Sequence, residues 1–283
     1  MKKIGTRMLI TILPVIIIAM IFSTWMSGST SKKIISNEIE AQMSSVLEAE
    51  LGAIQNKLDN VSTTVEGLAL TTVHTYQTTT LLQLENVLTN VTKSSPVALG
   101  AGLWFEPKVF DPTKEYVGPY AYKEGDKIVI TYDYSTPEYN YFSYDWYKKG
   151  KESDGKAFFT DPYYDETLDV TMSSCAAPMV VDGKVYGVVT IDLELSAIQD
   201  IVNKIDPGMK GVAYLVKADG TYLNNKDKDK IMKMKISAES NASFATAGKE
   251  ILTKEKGMVT YHSGSEDYNL YYQTLEDLGW KLI

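Results

Sequence analysis

Between residues 132 and 164 the chain carries Tyr132, Tyr134, Tyr139, Tyr141, Tyr144, Tyr147, Tyr163 and Tyr164, interleaved with Phe142 and Trp146. Carboxylates stand among and after them: Asp145, Asp161, Asp165 and, further on, Asp192. Every buried tyrosine hydroxyl needs a partner, so a plain core rarely favours this density of them. The wall of a pocket uses them well. Ring faces attract cations, by about 0.5–1 kcal/mol when exposed and about 2 kcal/mol or more when desolvated, and carboxylates add charge-assisted hydrogen bonds. Ordinary core packing accounts for many of the rings on either reading. Asp192 is the sharpest residue. It ends the apolar run Val188-Val189-Thr190-Ile191, where a lone buried carboxylate is costly. Two roles fit it: a cap for a helix starting near Ser196, or the counter-charge of a positive guest. The guest reading requires Tyr147 and Asp192 to face one shared cavity.

Other chemistry is hard to find. His74 and His262 are far apart and have no partner pattern, which makes both structural. The single cysteine, Cys175, excludes an intrachain disulfide and a cysteine-based metal cluster, and reads as a small buried thiol. There is no nucleophile elbow, phosphate loop, zinc spacing or dinucleotide fingerprint, so no catalytic residue, cofactor or metal is assigned. The run Asn224-Asn225-Lys226-Asp227-Lys228-Asp229-Lys230 reads as a solvated loop, with calcium binding as the alternative. Net charge is −8, and the only arginine is Arg7. Without Lys2, Lys3 and Arg7 the remainder carries −11. Such a body disfavours nucleic acid and anionic lipid as partners and suits a small cation.

The elements that must position these residues start at a membrane. Residues 8–26 contain no charge and approach the roughly 20 residues that span a bilayer. Lys2, Lys3 and Arg7 precede the span, which puts residues 1–7 in the cytoplasm and the chain beyond the span outside the cell. The apolar run is longer than that of a usual cleaved signal peptide. Ile39, Met43, Leu47, Leu51, Ile54, Leu58, Val61, Val65 and Leu68 then recur at helical steps, which predicts a stalk helix over residues 30–95 with a kink near 71–80. That stripe packs on its own domain, on a second copy in a homodimer, or on both along different stretches. From residue 97 the pattern turns to strands, at 99–105, 127–134, 171–179 and 185–193. Asp182-Gly183 forms a hairpin turn, and a short helix occupies 196–205. A second unit comes next, with strands at 211–217, 221–223, 257–262 and 268–274, a helix at 243–254, and a last strand begun at 279–283. The chain stops inside that strand, which marks it as part of a longer receptor whose output is a methyl-accepting rod, a kinase or a cyclase. The fold class is α+β: a long N-terminal helix, then two modules with antiparallel sheets at 96–205 (membrane-distal) and 206–283 (membrane-proximal).

On Asp145-Trp146-Tyr147, Thr160-Asp161-Pro162-Tyr163-Tyr164-Asp165 and Gly187-Val188-Val189-Thr190-Ile191-Asp192, the chain resembles the double-Cache sensor domains of bacterial chemoreceptors and sensor kinases. The likeness covers about residues 30–283. It implies two stacked PAS-like modules on a long helix, with the ligand in the membrane-distal one. Within that family it is similar to a group of amino-acid sensors, whose pattern falls on Tyr139, Trp146, Tyr147, Tyr163, Asp165 and Asp192. The place of that group's arginine, the expected partner of a ligand carboxylate, holds Tyr144 here. Variants without the arginine look like amine sensors. The resemblance therefore implies a chemotaxis receptor for a small amine or quaternary ammonium compound, held by Tyr139, Tyr144, Asp145, Trp146, Tyr147, Tyr163, Asp165 and Asp192. Its rivals are an amino acid, a purine or a small carboxylate as ligand, or an anchored adhesion or scaffold protein with no small ligand.

Overall fold

The computed structural model describes residues 2–208, 211–275 and 278–283, and not the side chains of residues 2–12 and 32. The charged flank Lys2, Lys3 and Arg7 thus lies outside the described side chains. Helix α1 runs from Lys2 to Thr75, with Pro14 inside it. By length and composition its apolar N-terminal part is able to cross a membrane. Leu13, Ile18, Phe22 and Trp25 are all exposed there, as a lipid-facing surface would be. Contacts divide the chain into residues 1–48 and 49–283.

In the second unit the predicted stripe is real. Leu51, Ile54, Leu58, Val61, Val65 and Leu68 are buried, whereas Ile39, Met43 and Leu47 on the N-terminal unit are only half-buried. The helix breaks where the threonines cluster. Thr80 caps α2 (Leu81–Ser94) through a capping box with Gln83, satisfying backbone donors that a helix start leaves free.

The strands are β1 (Ala98–Phe105), β2 (Tyr120–Glu124), β3 (Lys127–Thr131), β4 (Phe158–Phe159), β5 (Tyr163–Asp165), β6 (Val170–Val181) and β7 (Lys184–Glu194), with α3 (Asp145–Glu152) between β3 and β4. They form one antiparallel sheet in the order β3-β2-β1-β7-β6-β4, with β5 also paired to β6. At the β6–β7 turn Asp182 and Gly183 both adopt positive φ, 50° and 74°, as a two-residue hairpin turn of this hand requires. After α4 (Leu195–Asn203) come β8 (Leu215–Val216), β9 (Tyr222–Asn224), α5 (Ala242–Ile251), β10 (Lys256–Ser263), β11 (Glu266–Leu275) and β12 (Trp280–Leu282). Their sheet is ordered β10-β11-β12-β8-β9. The architecture is the predicted one: a long helix followed by antiparallel sheets. The predicted strand over 211–217 shortens to β8, and residues 209–210 are not described. In the 224–230 loop Asp227 accepts from the Asp229 N–H, and Lys230 is paired to Glu239 outside the loop at 2.7 Å.

Alternation along the first sheet gives it two faces. Ala101, Leu103, Phe105, Cys175, Val189, Ile191 and Leu193 are all buried on one of them. Cys175 Sγ lies 3.7 Å from Ser62 of α1, which puts this face under the helix. The other face carries Gly100, Gly102 and Trp104 of β1, Val188, Thr190 and Asp192 of β7, and Ser174 and Ala176 of β6, aligned by register.

An aromatic cavity around Asp192

Two glycines make the second face deep enough to hold rings. A Cβ at Gly102 would sit 2.7 Å from Trp104 Nε1, because the indole folds back over that residue. A Cβ at Gly100 would run into the Tyr120 hydroxyl and stand 2.7 Å from the Ala121 carbonyl. Trp104 Nε1 donates to Thr190 Oγ1 at 2.9 Å, fixing the indole on β7. The segment after β3 and helix α3 close over the top. Gly150 lets α3 approach, since a Cβ there would meet Val188 Cγ1 at 2.8 Å.

The result is a cavity of about 10 Å³, room for about one water. Trp104, Tyr120, Tyr134, Tyr139, Trp146 and Tyr163 supply rings to its wall, Met172, Ser174 and Thr190 fill the gaps, and Asp165 and Asp192 are its charged members. Among the described residues, no lysine, arginine or histidine lines it. Tyr139 stacks on Tyr144 with ring centres 4.5 Å apart and planes 9° from parallel. Tyr144 is 38% exposed, so this stacked pair stands between cavity and solvent.

The two carboxylates differ. Asp165, on β5, is buried and committed: its Oδ1 accepts from the Tyr134 hydroxyl at 3.0 Å and from the Leu168 N–H at 2.9 Å. Asp192, opposite Ser174 on β6 and beside Gly100 on β1, is 3% exposed, and its Oδ1 has no protein partner among the described residues. Burial pushes its carboxyl up to about 7; the nearby Ser174 and Tyr120 hydroxyls oppose that rise and Asp165 adds to it. The Ser174 hydroxyl is itself bonded to Tyr163 at 2.7 Å. The Tyr120 hydroxyl is a second buried polar atom without a partner. Asp192 is not a helix cap, for α4 starts at Leu195 with Glu194 in the cap position.

Of the predicted residues, Tyr139, Trp146, Tyr163, Asp165 and Asp192 meet in this cavity. Three do not. Tyr144 lies outside, stacked on Tyr139. Asp145 is exposed in the first turn of α3, where its charge suits the helix dipole. Tyr147 corrects the expectation of a cavity shared with Asp192, and the guest reading fails in the form that set Tyr147 against Asp192; a cation at Asp192 would meet other rings. One residue further round the helix than Trp146, it lines a separate open cleft with Glu106, Phe142 and Lys151, and its hydroxyl donates to Glu106 Oε1 at 2.6 Å. Lys151 pairs with the same oxygen at 2.8 Å. Adjacent helical positions point about 100° apart, so Trp146 and Tyr147 could not both enter one small cavity. Trp104 and Tyr120 were missed, and Tyr134, though among the clustered tyrosines, was not singled out as a site residue. The signal for the first two was the spacing Gly100-x-Gly102-x-Trp104 in an apolar strand, which calls for a ring lying over each glycine.

Residues 84–200, which include this sheet and cavity, match the family described as methyl-accepting chemotaxis protein-like, first PDC sensor domain. The methyl-accepting chemotaxis protein McpC of Bacillus subtilis is 31% identical over 151 residues, 51% of this chain and 20% of McpC. The chain spans 14–23% of the length of the curated relatives it matches. Two ligand-binding domains of solved structure share the fold. That of the Campylobacter jejuni chemoreceptor Tlp3 with L-valine has a TM-score of 0.66 at 15% identity, over 89% of this chain and 93% of Tlp3's. That of the Pseudomonas aeruginosa amino-acid chemoreceptor PctB with L-Arg has a TM-score of 0.61 at 21% identity, over 84% and 90%. Residues 84–200 are thus similar to the first sensor domain of chemoreceptors, and the two solved domains share its fold.

Proposed function

We propose that the chain is the ligand-sensing region of a membrane chemoreceptor, anchored by the apolar part of α1 with its sheets outside the cell, and that the Asp192 cavity binds a small amine cation. One observation carries the ligand class: a fully buried carboxylate with a free oxygen, ringed by aromatic faces, with no positive side chain among the described residues of the wall. A cation supplies the missing counter-charge and gains from the ring faces. The cavity has room for about one water, so an amine with several heavy atoms moves the wall on binding. The stacked Tyr139–Tyr144 pair and Trp146 on α3 are the parts that open. A ligand with unequal affinity for the open and closed walls shifts their populations, and no further device is needed for a signal. The half-buried Ile39, Met43 and Leu47 suit a helix stripe shared between two copies in a homodimer.

An amino acid is the second reading, favoured by the complexes of PctB with L-Arg and Tlp3 with L-valine. It needs a partner for the ligand carboxylate, which here falls to backbone N–H groups or to a lysine brought in on opening. Calorimetry on the full chain in nanodiscs, with a panel of simple amines and amino acids, separates the two. Amine binding that Asp192→Ala abolishes supports the first reading. Tight amino-acid binding with indifference to simple amines overturns it.

A further inference from the structure

Nearly every polar group in the cavity wall is already in use. Asp165 Oδ1 holds Tyr134 and the Leu168 amide, Ser174 and Tyr163 hold each other, and Thr190 holds the Trp104 indole. Two buried atoms of the wall, Asp192 Oδ1 and the Tyr120 hydroxyl, make no well-formed hydrogen bond among the described residues, though each is close enough to shift the other's protonation. They approach one another from neighbouring strands. Asp192 sits opposite Gly100, and Tyr120 sits opposite Gly102 with its phenol laid across to the space above Gly100. That space exists only because residue 100 has no side chain. Burial and the Asp192 charge hold the Tyr120 phenol well above its ordinary range, so it stays protonated in any physiological buffer.

We propose that Tyr120 is a specificity residue: with Asp192 it takes two N–H hydrogens of one ammonium group, and the site therefore selects primary and secondary amines over tertiary and quaternary ones. This rests on the amine reading above. Two effects compete. Ring faces alone favour the more methylated ions, because each N-methyl lowers the cost of leaving water and adds contact with the rings. The carboxylate and hydroxyl oppose that trend, since a methyl pressed against either leaves a buried polar atom unmet, and sites built to receive N–H hydrogens reject analogues that lack them. A lost hydrogen bond to such a site costs roughly tenfold in affinity, more than a methyl gains from an already crowded wall.

The test is calorimetric titration of the full chain in nanodiscs with methyl-, dimethyl-, trimethyl- and tetramethylammonium at pH 8, for the native protein and Tyr120→Phe. In the native protein affinity should fall roughly tenfold or more from dimethyl- to trimethylammonium, where the second N–H disappears. In Tyr120→Phe that step should shrink to less than about threefold, with trimethylammonium itself little changed. Equal binding of the quaternary and primary ions, or an equal loss for all four in Tyr120→Phe, overturns the role of Tyr120 and leaves the amine reading intact. Failure of all four ions to bind the native protein removes the amine reading and this inference together. A denaturant titration checks the fold: with no partner for its hydroxyl, Tyr120→Phe should unfold no earlier than the native protein. Earlier unfolding would show a hydroxyl already bonded within the protein and would count against the proposal.

Discussion

Replacing Asp192 by asparagine separates the charge at the centre of the cavity from its shape. The carboxyl of aspartate ordinarily titrates at 3.8, and burial pushes that of Asp192 up to about 7. Each tenfold change in equilibrium is about 1.4 kcal/mol, so the ionised group opposes folding by about 4 kcal/mol. The sign comes from proton counting. Between pH 3.8 and about 7 the folded chain holds a proton that the unfolded chain has released, so stability falls as pH rises through that window. Above about 7 both states are ionised and the loss is complete. Asparagine cannot ionise, which removes the decline, but its buried amide hydrogens find little to bond, at a cost of about 1–3 kcal/mol. At pH 8 the variant should therefore be more stable than the native protein by roughly 1–3 kcal/mol, and at pH 4 equal or less stable. Urea unfolding of the full chain in nanodiscs, followed by tryptophan fluorescence at both pH values, measures the difference; Trp104 and Trp146 stand in the cavity wall and report on it directly. A variant less stable than the native protein by the same amount at pH 4 and pH 8 would refute the claim that an uncompensated charge is buried here.

Gly100→Ala should weaken amine binding more than tenfold and cost about 1–3 kcal/mol of stability, because the new methyl meets the Tyr120 hydroxyl and the Ala121 carbonyl; calorimetry and urea unfolding read the two effects. Tyr134→Phe removes one of the two donors to the buried Asp165 and should cost about 1–3 kcal/mol, visible as a lower urea midpoint with an unchanged slope. Leu58→Ala, on the buried part of the α1 stripe, should cost about 2–5 kcal/mol. Met43→Ala, on the half-buried part, should cost clearly less in a dilute monomer. An equal cost for the two would mean that a second copy covers Met43, and cross-linking across that stripe would then capture a dimer.

Elements with a strong period or a strong turn signal were legible. The α1 stripe, the Asp182-Gly183 hairpin and the long β6–β7 pair needed only local pattern. What escaped was short and set by packing. Helix α3 has eight residues with a glycine inside it, a poor helix by propensity; it forms because Gly150 lets it lie against Val188. Strand β2 reads Tyr-Ala-Tyr-Lys-Glu, too short to announce itself, yet it delivers Tyr120. The site shows the same division. Asp192 stood out because a carboxylate ending an apolar run demands an explanation, and Asp165 through its place among the tyrosines and in the family pattern, but their difference did not. That Asp165 is spent on Tyr134 while Asp192 keeps an oxygen free depends on contacts between residues up to 31 apart. The shared cavity for Tyr147 and Asp192 failed because Tyr147 was grouped with Trp146 without the turn of the helix that points the two apart.

The loss of Tyr147 from the cavity changes which rings face the charge without changing the sign of the field. Tyr120, Tyr134 and Trp104 take its place, and all are electron-rich faces beside acidic oxygens. A ligand carboxylate entering this cavity would add a third negative group to a space with no cation among the described residues of its wall. Desolvating such a group without a partner costs several kcal/mol, more than thousandfold in affinity at about 1.4 kcal/mol for each tenfold. An amino acid could bind only with its ammonium at Asp192 and its carboxylate outside, beyond the Tyr139–Tyr144 stack, where Tyr144 is already exposed. The ammonium is then the part the cavity recognises on either reading, and the two differ in what lies outside the aromatic lid. Substituting Tyr144 by arginine gives that outer position the planar cation a carboxylate prefers. In Tyr144→Arg the affinity for an amino acid should rise relative to that for the amine with the same side chain, by about tenfold for one new charge-assisted pair. An unchanged ratio in paired titrations would mean that nothing bound at Asp192 extends past the stack.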